Sequence, residues 1–269
     1  NVYSGVRGTE DLAGLAAGWL LADCPDTPAC GGADLDGDTN VSLADLLAQA
    51  ENWLADESLV LYFPFEEMSG DVTADESIYS RSGSLVNGPT WTSGISGDGA
   101  LTFDGLDDHV EVPGYPGISG GRARTVCAWI QTTQEVGMIL TYGSFGTGTR
   151  WLLFVNNGKV QMGISGGNIL STQSVNDGQW HHVAAVLEEP ASGPATVQDL
   201  RLYIDGQPDA GTYANPTVEI DTGIDHPVQV GVNQLSADGT LGSFFGGLID
   251  DVRLYDRALT QLEIQYLAN

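Results

Sequence analysis

From residue 59 onward the chain is a succession of short apolar runs cut by turn dipeptides, and this punctuation limits the possible folds more than any other feature. The runs fall at 59–65, 100–103, 110–112, 125–130, 138–142, 151–155, 160–164, 180–187, 200–204, 228–232 and 248–255. Asn157-Gly158, Asp177-Gly178 and Asp205-Gly206 stand between runs, and such pairs accept the positive φ angles that tight hairpins need. Many short runs separated this way predict an antiparallel β-sandwich. Several are apolar on both faces, as inner strands of stacked or covered sheets are. At the end, Thr260 with Glu263 three residues on forms a capping box and predicts a short helix over 261–267.

Before residue 57 the periodicity is helical. Asp11-Leu12 and Trp19-Leu20 superpose on Asp45-Leu46 and Trp53-Leu54 at an offset of 34 residues. In the second copy Leu43, Leu46, Leu47, Ala50, Trp53 and Leu54 recur at three- and four-residue steps, which marks one apolar helix stripe. Leu12, Leu15, Trp19 and Leu20 repeat it in the first copy. Neither stripe can be hidden alone, so the two helices are expected to pair. The chain therefore divides into a small helical module at 1–56 and a sandwich at 59–269.

The second repeat opens with a distinctive loop. Asp34, Asp36, Asp38, Asn40, Ser42 and Asp45 occupy positions 1, 3, 5, 7, 9 and 12 of a twelve-residue segment, the ligand spacing of an EF-hand calcium loop. Three carboxylates so close would repel one another without a cation. Asn40 offers its backbone carbonyl and Asp45 closes the sphere, while Thr39 replaces the usual glycine at position 6. Calcium is the expected cofactor. These residues resemble a dockerin repeat, in which the loop is followed by a single helix and the twelfth ligand is Asp. The resemblance covers 34–54 and implies docking onto a cohesin or another extracellular protein. The first repeat lacks the opening acids, so ordinary cohesin docking does not follow from it.

Three cysteines are too few for a disulfide scaffold. Cys24 and Cys30 lie in the loop between the two helical segments and are expected to bond to each other. Cys127, in an apolar strand-like run, is expected to be a buried inert thiol.

The remainder resembles the laminin-G-like, concanavalin A-like jelly-roll family. The strings that carry the likeness are Ser84-Leu85-Val86-Asn87-Gly88-Pro89 with Phe103-Asp104-Gly105-Leu106-Asp107-Asp108-His109-Val110, and Trp180-His181-His182-Val183-Ala184 before Leu202-Tyr203-Ile204-Asp205-Gly206. A third is Gly247-Leu248-Ile249-Asp250-Asp251-Val252-Arg253-Leu254-Tyr255. The resemblance implies a mainly β, antiparallel jelly-roll sandwich behind the small N-terminal α-helical calcium-binding module. It also points to a structural calcium at Asp250, with Glu66 and Asp75 completing the site and Asp107 as an alternative ligand. Strand alternation places Asp250 on one face with Leu248, Val252 and Leu254, where a carboxylate is costly unless partnered. Ion pairing to Arg253 or Arg257, or simple exposure, are the alternatives.

Nine basic against 36 acidic residues give a net charge of −27, which repels nucleic acid and anionic membrane surfaces. No apolar run approaches the roughly 20 residues of a membrane span. Asn1 opens no signal-peptide pattern and reads as a processed or truncated end. Catalysis finds little support: glycoside cleavage needs two carboxyl groups at a set separation, and no Glu-x-Asp-x-Glu string occurs. Glu66-Glu67 and Asp250-Asp251 are adjacent pairs expected to face opposite sides of a strand, and His181-His182 should be one exposed and one buried histidine. Trp151, Tyr142, Phe244 and Phe245 flank Gly-rich loops, with core packing expected for each. The expected function is a secreted or cell-surface, non-catalytic binding and adhesion protein, its module serving association and its sandwich recognising an extracellular glycan or protein. A head-to-tail homopolymer in a filament or surface layer is the alternative, and a glycan-active enzyme the third.

Overall fold

The computed structural model describes residues 57–269. The calcium loop with Asp34, Asp36, Asp38, Asn40 and Asp45, the Cys24–Cys30 pair and the two helical repeats lie outside the described residues. Each apolar run predicted above forms a strand. In chain order the strands are β1 (Leu59–Phe63), β2 (Val72–Thr73), β3 (Gly83–Val86), β4 (Thr90–Thr92), β5 (Ala100–Asp104) and β6 (His109–Glu111). There follow β7 (Arg124–Gln131), β8 (Val136–Gly143), β9 (Arg150–Asn156), β10 (Lys159–Gly163), β11 (Asn168–Ser174) and β12 (Trp180–Leu187). The last are β13 (Leu200–Ile204), β14 (Gln207–Asp209), β15 (Thr212–Ala214), β16 (His226–Val230), β17 (Asn233–Gln234), β18 (Leu241–Gly242) and β19 (Gly246–Tyr255).

They form two large antiparallel sheets. One runs β14-β13-β12-β7-β19-β5-β4 with β1 also on β19, and the other runs β15-β11-β10-β9-β8-β16-β6-β3-β2. β17 and β18 pair separately. Alternation puts every second side chain between the sheets. Val126, Ala128 and Ile130 of β7 meet Trp151, Leu153 and Val155 of β9 in one continuous core. Each fully buried aliphatic or aromatic side chain there contributes about 1.5–3 kcal/mol.

The Asn157-Gly158 and Asp205-Gly206 hairpins are as expected, with φ of 49° and 71° in the first and 50° and 72° in the second. Asp177-Gly178 differs. It closes no hairpin but leads into β12, its carboxylate accepting the Gln179 N–H at 2.9 Å. On the outer face of the first sheet, Cys127, Ala184, Val186, Tyr203 and Tyr255 form a second apolar cluster with Leu259 and Ile264. Ile264 belongs to α1 (Gln261–Leu267), whose predicted capping box is present: Thr260 Oγ1 accepts the Glu263 N–H at 3.3 Å, and Glu263 Oε2 accepts the Thr260 N–H at 2.7 Å. Cys127 is a buried free thiol, pushed up to about 12 by its burial. No helix among the described residues is long and apolar enough to cross a membrane.

β19 has one long neighbour and two short ones. β7 runs along one side, while on the other β5 pairs with residues 246–249 and β1 with residues 252–255. Between the two short partners lies a bulge at which Asp251 has φ 53°. The bulge corrects one expectation. It shifts the alternation so that Ile249, Val252 and Leu254 are core residues, and Asp250, paired across from Trp129, lies on the outer face instead of sharing theirs. Asp250 and Asp251 are both buried.

Candidate binding site

The ends of β5 and β7 and the start of β19 frame a cleft of about 470 Å³. Phe103 and Leu248 supply apolar wall, and Asp104, Thr132, Thr133 and Gln134 supply polar groups. Thr132 and Gln134 are fixed by backbone contacts. Thr132 Oγ1 donates to the Gly246 carbonyl at 2.6 Å and accepts the Gln134 N–H at 3.0 Å, while Gln134 Oε1 accepts the Gly246 N–H at 2.7 Å. At Gly246 a Cβ would sit 2.5 Å from Gln134 Nε2 and would displace that side chain. At Gly247, with φ 140°, a Cβ would lie 2.2 Å from the Gln131 carbonyl. A mixed polar and apolar wall on the rim of a rigid sheet suits a small polar ligand.

Asp104 also belongs to a trio with Asp107 and Asp108 whose ligand oxygens lie within 4.8 Å of one another. Asp104 Oδ1 accepts the N–H groups of Leu106 at 2.8 Å and Asp107 at 3.4 Å, and these amides, Leu106 first, hold its carboxyl below the ordinary value. Asp108 is buried and accepts the Asp104 N–H at 3.0 Å, and burial pushes its carboxyl up. Of the three only Asp104 lines the cleft.

The residues expected to share a calcium divide between two places. Asp250 Oδ2 accepts the N–H groups of Ile95 at 2.9 Å and Ser96 at 3.0 Å, and Glu66 accepts the Asp98 N–H at 2.9 Å. Both acids thus organise the loop at 94–99, whose glycines approach Phe65, Glu66 and Asp250 closely. Asp75 stands apart, with both oxygens saturated by Tyr62 N–H, Ser77 N–H, Ser77 O–H and Arg81 N–H, each at 2.8–2.9 Å. Asp250 Oδ1 is buried with no partner. That lone oxygen fits a hard cation, whereas the satisfied carboxylate of Asp75 does not. Burial raises the Asp250 carboxyl to about 6. The alternative ion pairs form elsewhere: Arg253 meets Asp251 at 2.9 Å, an ionic contact off the hydrogen-bond axis, and Arg257 meets Glu263 at 2.8 Å.

The histidine expectation holds for one of the two: His182 is buried, while His181 is half-buried instead of exposed. His182 is buried with Nδ1 unpartnered and edge-on to Trp129, and burial lowers it to about 4. His181 bridges Asp177 at 3.1 Å and Asp205 at 2.9 Å. Burial opposes its charge, but Asp205 and then Asp177 outweigh it and raise the imidazole. Trp151, Tyr142 and Phe245 are core residues, and Phe244 is half-buried beside His109. Sequence reading overlooked Thr132, Gln134 and Asp104 as cleft residues. The available signal was a polar Thr-Thr-Gln run directly after an apolar strand, together with a Gly-Gly pair directly before another.

A family model described as the concanavalin A-like lectin/glucanases superfamily matches residues 75–265. No curated protein matches the chain. Among solved structures, domain 4 of AbnA, a GH43 extracellular arabinanase from Geobacillus stearothermophilus in complex with arabinotriose, superposes with a TM-score of 0.59 at 20% identity, over 79% of this chain and 98% of that one. The binding domain of Paraclostridial Mosquitocidal Protein 1 gives 0.56 at 16% identity, over 79% of this chain and 52% of that one. A structure of botulinum neurotoxin type C, whose cell entry depends on interaction with two ganglioside molecules, gives 0.55 at 15%, over 80% and 51%. The chain thus spans about half the length of these toxin chains, and likeness at such identities shows a shared fold.

Proposed function

The chain belongs to the concanavalin A-like lectin/glucanases superfamily, and from this we propose that it is a secreted, non-catalytic binding protein whose sandwich recognises a glycan. The observation that carries the reading is the rim cleft. It offers an apolar wall and preset amide and hydroxyl groups, with Asp104 the one acid among its lining residues. Glycoside cleavage requires a second carboxyl group at about 5–9.5 Å on the same cleft; Asp107 and Asp108 stand beside Asp104, but neither lines the cleft, and Asp108 is buried and bonded to a backbone amide. Asp250 and Asp251 are likewise committed, one to the 94–99 loop and one to Arg253.

Two of the solved neighbours support a binding role by what their own descriptions say: the arabinanase domain holds arabinotriose and the toxin engages gangliosides. In the same proposal residues 1–56 form a separate calcium-loaded module for association with an extracellular protein or a second copy, through Asp34, Asp36, Asp38, Asn40 and Asp45. In the sandwich, Asp250 with Glu66 would hold a calcium that ties the 94–99 loop to β19. The test is binding without cleavage. A carbohydrate panel incubated with the protein should yield a retained oligosaccharide and no released sugar, and release of sugar that ends on replacing one carboxylate would establish an enzyme instead.

A further inference from the structure

Two arginines of the described residues are buried, and their surroundings differ. Arg124 is saturated: its guanidinium donates to the carbonyls of Ile118, Gly120 and Arg122 and to Thr222 Oγ1. Arg150, 6% exposed, has one close acceptor, Asn233 Oδ1 at 2.7 Å, and one distant one, Thr141 Oγ1 at 3.5 Å, both reached through Nη2. Its Nε is buried without a partner, and among the described residues no carboxylate lies within ion-pair distance. A guanidinium stays charged in proteins, and a buried charge lacking a counter-ion is strongly disfavoured unless something else completes it.

Arg150 reaches the surface only at a small edge of its side chain, and its fold position says which face that edge belongs to. Trp151, Leu153 and Val155 point into the core, so Arg150 lies on the outer face of the second sheet, away from the rim cleft. The half-buried ring of Phe145 stands 4.8 Å from its guanidinium carbon, and His226 meets that ring edge-on at 4.9 Å. Aromatic rings beside an amide and a guanidinium with free donors are chemistry for a sugar ring that carries an acid group. We propose that this face is a second glycan subsite, which takes a single terminal carboxylate-bearing sugar with Arg150 as its anion anchor. The net charge of −27 argues for one terminal acid group rather than a polyanion or acidic peptide, because each further negative charge is repelled. The inference rests on the glycan-binding reading but on residues that the rim cleft does not share.

The experiment is calorimetry and thermal denaturation of the full chain with the methyl glycosides of glucuronic and galacturonic acid, of glucose and galactose, with acetate, and with an acidic peptide. The uronides should bind at least tenfold tighter than the neutral sugars and raise Tm. Arg150→Gln should lose that preference without a lower Tm in the free state, since it removes an uncompensated charge, and Arg150→Lys should keep part of it. Equal affinity for neutral and acidic sugars, unchanged uronide binding by Arg150→Gln, or acetate or peptide binding as tightly as the uronides would each overturn the proposal. Binding of neutral sugars alone would sink this subsite and leave the glycan reading standing, whereas binding of no sugar would sink both.

Discussion

Asp250 and His182 are buried ionisable groups whose protonation equilibria pull stability in opposite directions. The ordinary carboxyl value of 3.8 becomes about 6 at Asp250, so between those values the folded chain holds a proton that the unfolded chain releases. Stability from this group is fullest below about 4 and falls as pH rises to 6, by on the order of 3 kcal/mol. At His182 the ordinary 6.5 becomes about 4, so the unfolded chain takes up a proton that the folded chain refuses, and stability falls as pH drops from 6.5 to 4. The wild-type profile conceals both because the windows overlap. Urea unfolding from pH 4 to 7 should separate them: relative to wild type, Asp250→Asn gains stability as pH rises and His182→Gln gains it as pH falls. Profiles parallel to wild type would mean that neither group is desolvated as described.

Among the elements, α1 offers the most direct test because its start is set by one side chain. Thr260→Ala removes the acceptor for the Glu263 N–H and should cost about 1 kcal/mol in urea unfolding, with the cluster around Cys127 and Ile264 loosened. A change near zero would show that Arg257 and Glu263 hold the helix without the cap. This helix and the central strands were legible in the sequence because burial on one face leaves a period. β2, β4, β14, β15, β17 and β18 were not, since two or three residues carry no period. β11, Asn168–Ser174, was also missed because its outer half is Ser, Thr and Gln. The bulge in β19 escaped for a different reason: Asp251 adopts a positive φ with no glycine to announce it. Strand alternation therefore misplaced Asp250, the residue on which the sandwich calcium expectation rested. The rim cleft was hidden because Thr132 and Gln134 become neighbours of Gly246 only through the pairing of β7 with β19.

For the whole molecule, the net charge of −27 makes cation binding favourable wherever oxygens converge. Calcium titration of the full chain should register one binding event fewer after Asp36→Ala with Asp38→Ala, and an unchanged stoichiometry would count against the loop at 34–45. On the proposed reading the sandwich carries its recognition groups on a rim and on an outer sheet face, while Glu66, Asp108 and Asp250 are tied to backbone amides. We propose that this arrangement holds a ligand and does not cleave one. The decisive measurement is calorimetry of the intact protein with the oligosaccharide retained from a broad panel, repeated with Gln134→Ala and Asp104→Asn and followed by analysis of the sugar recovered. The cleft predicts that each substitution weakens binding by about tenfold, about 1.4 kcal/mol, with Tm little changed and the sugar recovered intact. Binding that survives both substitutions, or a sugar recovered in fragments, would contradict it.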